Sequence, residues 1–519
     1  MRLVGDLEPL TYCRERYSLA GARNLLPRRM PRGHKSAKFA VAIFCWLSAV
    51  WADEPQKFGV LERTTDVCPG YTLVSPLSAH RSFLLDNDGK VVHFWQADRK
   101  PGQASYLLPD GSLLRAGKVK EFFQFPSQAG SGGRLQKYDW DGNLVWDYVS
   151  SSPYRMTHHD IHPLPNGNVL CIAWESYLRE VAEAAGRNLG RLTGDVLWFE
   201  AIFELKPNGL NGADIVWKWS SRDHVVQDWD ESKDNYGDPS QHPELIDINF
   251  MLRPTADWLH MNSLDYNPEL DQILVGSRSL NEIWIIDHGT TTEEAKGHVG
   301  GRRGRGGDLL YRWGNPQAYR RGTEKDRQLY SQHDAQWIPD GLPGAGNILV
   351  FNNGTTNSAR KFSTVDEITP PLKTDGTYEL SSDGAYGPEG PVWSFEDGPE
   401  FFSPRISGAQ RLPNGNTLIC SGTQYIFQEV TQQGQSVWKY KNPPRFFPPP
   451  AFEKPLGKPT LSELPTAELE ALKIPSGVPL QDGGTMFNVR KYPAEYAGFR
   501  GRTLQPITVP IRDDNPEED

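Results

Sequence analysis

Six times along the sequence a strand-like run reaches a Gly-containing or polar turn and returns as a short second run carrying a tryptophan. The copies are FLLDNDGKVVHFW ending at Trp95, YDWDGNLVWDY around Trp146, FELKPNGLNGADIVWKW around Trp217, LLYRW at Trp313, GPVWSF at Trp393 and QQGQSVWKY at Trp438. A lone hairpin cannot bury its apolar face, so copies spaced by tens of residues imply an array in which neighbouring sheets cover one another. The expected fold is all-β, a six-bladed β-propeller, and such a ring places its site on the central axis. Composition agrees, because 49 Gly and 41 Pro supply turns for many short strands and 16 Trp are foreign to a disordered chain. A formal net charge of −10 argues against nucleic acid as a partner. One basic run, GGRRGRGG at 300–307, lies between IWIIDHG and DLLYRWGNP, two hairpin arms, and is expected to be a flexible surface loop.

The N-terminal region reads as an address. Basic residues in RRMPRGHKSAK precede the apolar run FAVAIFCWLSAVWA (39–52), with Val50 and Ala52 as the small residues of a cleavage site before Asp53. The run is shorter than the ~20 residues of a membrane helix, so export with cleavage is expected, leaving a periplasmic or secreted protein without a membrane span. Residues 1–52 are the export region, with Met30 the expected start, 53–445 the propeller, and 446–519 a Pro-rich extension packing on it and ending in the disordered, acidic DDNPEED. Beyond the cleavage site only Cys68, Cys171 and Cys420 remain, so at least one thiol is free. Cys171 and Cys420 occupy matching segments, NGNVLC and NGNTLIC, which a six-bladed ring sets across from each other as buried small hydrophobes.

Between the tryptophan hairpins runs a second element: a polar residue, a short extended stretch, a Pro-Asn-Gly or Pro-Asp-Gly turn and an apolar strand. Aligned on that turn, the leading position is held by Gln103, His159, His260, His333 and Ser407. No copy follows Trp438. The remaining inner strands are expected from GYTLVSPL near residue 70 together with the C-terminal segment, so that both chain ends close the ring and no sheet edge is left open.

Equivalent positions early in the inner strands of a propeller encircle one axis, so His159, His260 and His333 are expected to converge. Arg278 follows His260 in the same repeat, beside the small Gly276 and Ser277, and its planar fork matches the tetrahedral oxygens of a sulfate or phosphate ester. The HHDIH run, with His158 and His162 flanking His159, invites a zinc reading. Strand alternation sends neighbours to opposite faces and Asp160 away, so neither a metal nor a cofactor is expected. There is no Walker-type GxxxxGK[ST] loop for a nucleotide donor.

These elements together resemble the bacterial arylsulfotransferase family, whose members are exported six-bladed propellers. The resemblance rests on HDIHPLPNGNVL with His159, LHMNSLDYN with His260, GSRSLNEIW with Arg278, and QHDAQWIPDG with His333 followed by NILVFNNG, and spans roughly 58–440. It implies that His333 attacks the sulfur of an aryl sulfate and forms a sulfohistidine, which passes the group to a phenol in a ping-pong sequence. It implies further that Arg278, with His159 or His260, binds the sulfuryl oxygens and protonates the leaving phenolate. Partners would be a small-molecule donor and acceptor, without a nucleotide. Better-known enterobacterial relatives carry a β-sandwich before the propeller and dimerise; here few residues lie between the cleavage site and the first repeat, so the dimer is not carried over. Two other readings of the same anion pocket stay open: a propeller that binds a sulfated or phosphorylated ligand without turnover, and an aryl sulfate hydrolase. The segment 220–257, rich in Asp, His and Trp, is either a lid or a surface decoration.

Overall fold

In the computed structural model the described residues are 58–119, 125, 130–251, 254–356, 360–443 and 484–509. The export region, the Pro-rich stretch after 443 and the acidic end lie outside them. Six antiparallel sheets form a six-bladed β-propeller. Among the described residues the one α-helix is the short Arg179–Ala184, and no helix is long and apolar enough to cross a membrane.

The innermost strands of blades I to VI are Val489–Pro493, Pro101–Leu107, Arg155–Pro163, Met261–Asn267, His333–Trp337 and Gly408–Arg411. The corresponding outermost strands of the repeat are Val91–Gln96, Leu144–Val149, Gly212–Ser220, Leu309–Trp313, Trp393–Phe395 and Ser436–Lys441. Both chain ends close the ring. Gly59–Arg63 pairs with Ser436–Lys441 as a fifth strand of blade VI, and Val489–Pro493 pairs with Gly70–Val74 inside blade I. The closing strand thus comes from the C-terminal segment, as expected.

The six repeat tryptophans sit in those outer strands, and each donates its indole N–H to the connection between the third and fourth strands of the next blade. Trp95 bonds to the Asp139 carbonyl at 2.8 Å, Trp146 to Gly212 at 2.9 Å, and Trp217 to the Thr290 hydroxyl at 3.0 Å. Trp313 bonds to the Pro388 carbonyl at 2.7 Å, Trp393 to Gln432 at 2.8 Å, and Trp438 returns to Asn87 of blade I at 2.9 Å. All are buried except the half-buried Trp393, so the indoles supply apolar area between blades while their one polar atom stays satisfied.

Cys68, Cys171 and Cys420 are buried free thiols. Cys171 and Cys420 lie in the second strands of blades III and VI, across the ring from each other, where they act as small hydrophobes. The Gly-rich run 300–307 is tied down. The Arg303 N–H donates to Asp287 at 2.8 Å, its guanidinium to the Leu270 carbonyl at 2.8 Å, and the Gly301 N–H to Glu294 at 3.0 Å. The segment 220–257 packs as a buttress: Val225–Val226 pairs in parallel with Ile246–Asp247, and Arg312 of blade IV donates to the Leu245 carbonyl at 2.8 Å.

Candidate active site

The inner strands bend where the sequence places its polar slot. Their pairing slips beside this point in blades II, III, IV and V. The backbone takes a positive φ at Gln103 (100°), His159 (50°), His260 (50°) and Ser407 (88°), and in blade V at Asp334 (53°), the residue after His333. Such a conformation costs a non-glycine residue about 1–2 kcal/mol, and a bulge of this kind re-aims a side chain that plain alternation would send elsewhere. The bend also corrects one expectation. His158 and His159 do not face apart, because their Nδ1 atoms are 2.9 Å from each other.

The result is a cluster at one end of the channel. The rings of His159 and His260 meet edge to face with centroids 4.6 Å apart. His333 and Arg278 are close enough for the guanidinium charge to act on both His333 and His159. The Arg278 N–H bonds to the His260 carbonyl at 3.2 Å, which fixes the arginine beside that histidine. The four residues singled out from the sequence are thus brought together. Gln103 and Ser407 hold their places in the same ring of slots, and the sixth place is taken by Phe487, ahead of the closing strand. Its ring centroid lies 6.1 Å from His159 and 6.4 Å from His333.

His333 is held by neighbours from three directions. Its Nδ1 lies 2.8 Å from Asn353 Oδ1 and 3.1 Å from the Ser331 carbonyl. The Asn353 amide N–H groups donate to the carbonyls of Ser403 at 2.6 Å and Ile406 at 2.7 Å, so its oxygen must face the imidazole. With two acceptors at Nδ1, the proton belongs there, and Nε2 carries the lone pair, accepting the Ile406 N–H at 3.2 Å. Burial first, then the Arg278 charge, pushes the His333 pKa down to about 3, so the ring is neutral.

His159 is likewise held well below its ordinary value, by burial first, with the neighbouring His260, His158, His333 and Arg278 further disfavouring a positive charge on its ring. Its ring lies against Gly130, where an added Cβ would fall 2.0 Å from Cε1, so only glycine leaves room. His260 bonds through Nδ1 to Asp257, at the end of the 220–257 buttress. Behind His159, His158 stacks on Trp174 at 3.9 Å and reaches Glu200.

Farther along the channel the chemistry changes. Arg490, from the closing strand, contacts Asp334 at 3.3 Å and the Tyr106 hydroxyl at 3.2 Å, and Tyr106 in turn donates to Asp160 at 3.1 Å. His162 belongs to this distal end, 3.3 Å from Asp265, where adjoining cavities of about 510 and 880 Å³ open. HHDIH is therefore split between two levels of the channel and forms no chelate. Elsewhere His224, His298 and Asp308 converge, with both Nδ1 atoms 2.8 and 2.7 Å from one Asp308 oxygen. Those are hydrogen-bond distances, shorter than the roughly 3.3 Å between ligands of a tetrahedral zinc.

The fold and the residues gathered on its axis define the class: a six-bladed propeller with three imidazoles and a guanidinium at one end of its channel. A family model described as Arylsulfotransferase (ASST) matches residues 64–443, so the chain belongs to the arylsulfotransferase family and is a sulfotransferase acting on small molecules. Solved structures share only distant likeness. A protein of unknown function from Bacteroides caccae is 12% identical, with TM-score 0.38, covering 72% of this chain and 93% of that one. Virginiamycin B lyase from Staphylococcus aureus is 10% identical, with TM-score 0.34, covering 74% and 88%. No match was found among curated proteins.

Sequence reasoning missed Asn353, Phe487, Asp257, Glu200 and Arg490. Asn353 lies within the NILVFNNG motif, where the polar NN pair ending an apolar strand was the available signal.

Proposed function

We propose that the protein moves a sulfuryl group from an aryl sulfate to a phenolic acceptor by two displacements through His333. The observation that carries this reading is the fixed tautomer of that residue: Nδ1 donates to Asn353, so the neutral ring keeps its lone pair on Nε2 without a separate base, and the donor sulfur takes the place of the Ile406 N–H that Nε2 accepts at rest. Nε2 attacks sulfur, the N–S bond forms as the S–O bond to the aryl group breaks, and the departing oxygen takes a proton. In the second half an acceptor phenol attacks the sulfohistidine and loses its proton to the site. Arg278 binds sulfuryl oxygens through its fork, with His260 beside it, and offsets charge that grows on the transferring group. The family's activity supports the reaction class, and the gathering of His159, His260, Arg278 and His333 supports these roles.

The N-terminal address supports export to the periplasm or outside the cell as part of the same proposal. Purified protein incubated with a chromogenic aryl sulfate, with and without phenol, tests the reaction. Phenol-dependent release together with a sulfuryl mass gain on His333 is expected. Equal release without phenol identifies a hydrolase, and binding without release identifies a non-catalytic propeller.

A further inference from the structure

The reading above leaves the phenolate's proton without a source. His159 has a neutral ring, and a neutral imidazole gives up a proton usefully only when another arrives at its second nitrogen. Behind it stand two buried residues that the sulfuryl chemistry does not otherwise use. Glu200 Oε2 lies 2.9 Å from His158 Nε2, and His158 Nδ1 lies 2.9 Å from His159 Nδ1.

We propose that Glu200, His158 and His159 form a proton relay that serves the leaving and attacking phenols, with Glu200 as the proton store. This rests on the sulfuryl-transfer reading. A protonated Glu200 sets the direction of each bond, and the geometry says where its proton sits. Glu200 Oε1 accepts the Met261 N–H at 2.8 Å, so a carboxyl proton belongs on Oε2, the oxygen facing His158. His158 is clamped by stacking on Trp174 with planes 10° apart and is bonded at both nitrogens, so a hop changes its tautomer without charging the ring. Burial first, then the charge of Asp257, holds the Glu200 carboxyl well above the usual carboxylate range, which keeps the store filled at rest.

The protons balance. As the S–O bond breaks, the leaving oxygen takes the Nε2 proton of His159. His158 passes its Nδ1 proton to His159 Nδ1, and Glu200 passes its Oε2 proton to His158 Nε2. The phenolate has become a phenol, both rings remain neutral in the opposite tautomer, and the negative charge rests on Glu200. When the acceptor phenol attacks sulfur, its proton enters at His159 Nε2 and the three groups return to their first state. His260, paired with Asp257, is the competing acid.

The test compares two donors: 4-nitrophenyl sulfate, whose phenolate leaves without help, and phenyl sulfate, whose phenolate is the base of a phenol with pKa about 10. Glu200→Gln keeps an acceptor for Met261 and a donor for His158 but cannot release a proton. It is expected to lower kcat/KM about 100-fold with phenyl sulfate and only a few-fold with 4-nitrophenyl sulfate. His158→Gln should show the same pattern, while Asp257→Asn should lower both donors alike. Equal losses for both donors in Glu200→Gln, or a donor-dependent loss confined to Asp257→Asn, overturns the relay. A second readout needs no turnover and no variant: ¹⁵N-histidine NMR of the resting protein should show His158 protonated at Nδ1 and His159 at Nε2. The opposite tautomers overturn the relay even if sulfuryl transfer stands. A wild type inactive on both donors overturns the transfer reading and the relay with it.

Discussion

Asn353 Oδ1 accepts the Nδ1 proton of His333 at 2.8 Å, and together with the Ser331 carbonyl it decides which nitrogen of the histidine can act as a nucleophile. The amide is itself immobilised by its bonds to Ser403 and Ile406, so the imidazole is oriented by a group that cannot turn. Asn353→Ala removes the shorter of the two Nδ1 bonds and leaves the ring held by the Ser331 carbonyl and the Ile406 N–H, so its orientation loosens. We expect kcat to fall about 100-fold with KM little changed, read by steady-state kinetics with 4-nitrophenyl sulfate.

His333→Asn removes the nucleophile. Transfer should fall by at least about 10⁴-fold and the sulfuryl adduct should vanish from the mass spectrum of donor-treated protein. Retained transfer with an adduct elsewhere would contradict the assignment.

The same variant carries a stability signature independent of activity. A histidine held at about 3 when folded takes up a proton in the unfolded chain near 6.5, so the unfolded state binds more protons between those values. This residue therefore lowers stability as pH falls through that window and has no such effect above it. Relative to wild type, His333→Asn should gain about 2 kcal/mol on going from pH 7 to pH 5. Denaturant titrations at the two pH values measure it.

Arg278→Lys keeps a charge but loses the planar fork. Because the guanidinium charge reaches both His333 and His159, we expect kcat/KM to drop about 10- to 100-fold, with most of the loss in kcat. An unchanged kcat with a raised KM would make Arg278 a binding residue only.

Trp438→Phe deletes the indole N–H that reaches Asn87 but keeps most of the apolar area, and should cost about 1 kcal/mol. Trp438→Ala should cost about 3–5 kcal/mol, and Trp393→Ala less, because Trp393 is only half buried. Chemical denaturation of the three variants gives the comparison.

What could be seen beforehand follows from what a repeat records. The hairpin tryptophans and the residues leading each Pro-Asn-Gly turn recur at local spacing, so the blade number and the convergence of His159, His260 and His333 could be read directly. Arg278 was visible because Gly276 and Ser277 stand beside it. Groups that orient these side chains come from other strands or blades, and no local pattern ties them to their targets. Glu200 lies one strand beyond Trp174, and Asp257 ends an insertion. Phe487 belongs to a segment with no copy of the repeat. The pairing of His158 with His159 was hidden for a different reason: strand alternation forbids it, and only the left-handed backbone at His159 allows it.

The strand Val489–Pro493 closes blade I, and the residues just before it place Phe487 among the histidines. A chain emerging N-terminus first therefore holds five of its six axial positions yet cannot complete the ring until residues 487–493 have been synthesised. Any product cut short before residue 484 lacks the wall of the reaction chamber and leaves the first blade with a bare inner edge. Competence for chemistry is thereby made contingent on synthesis passing Pro493.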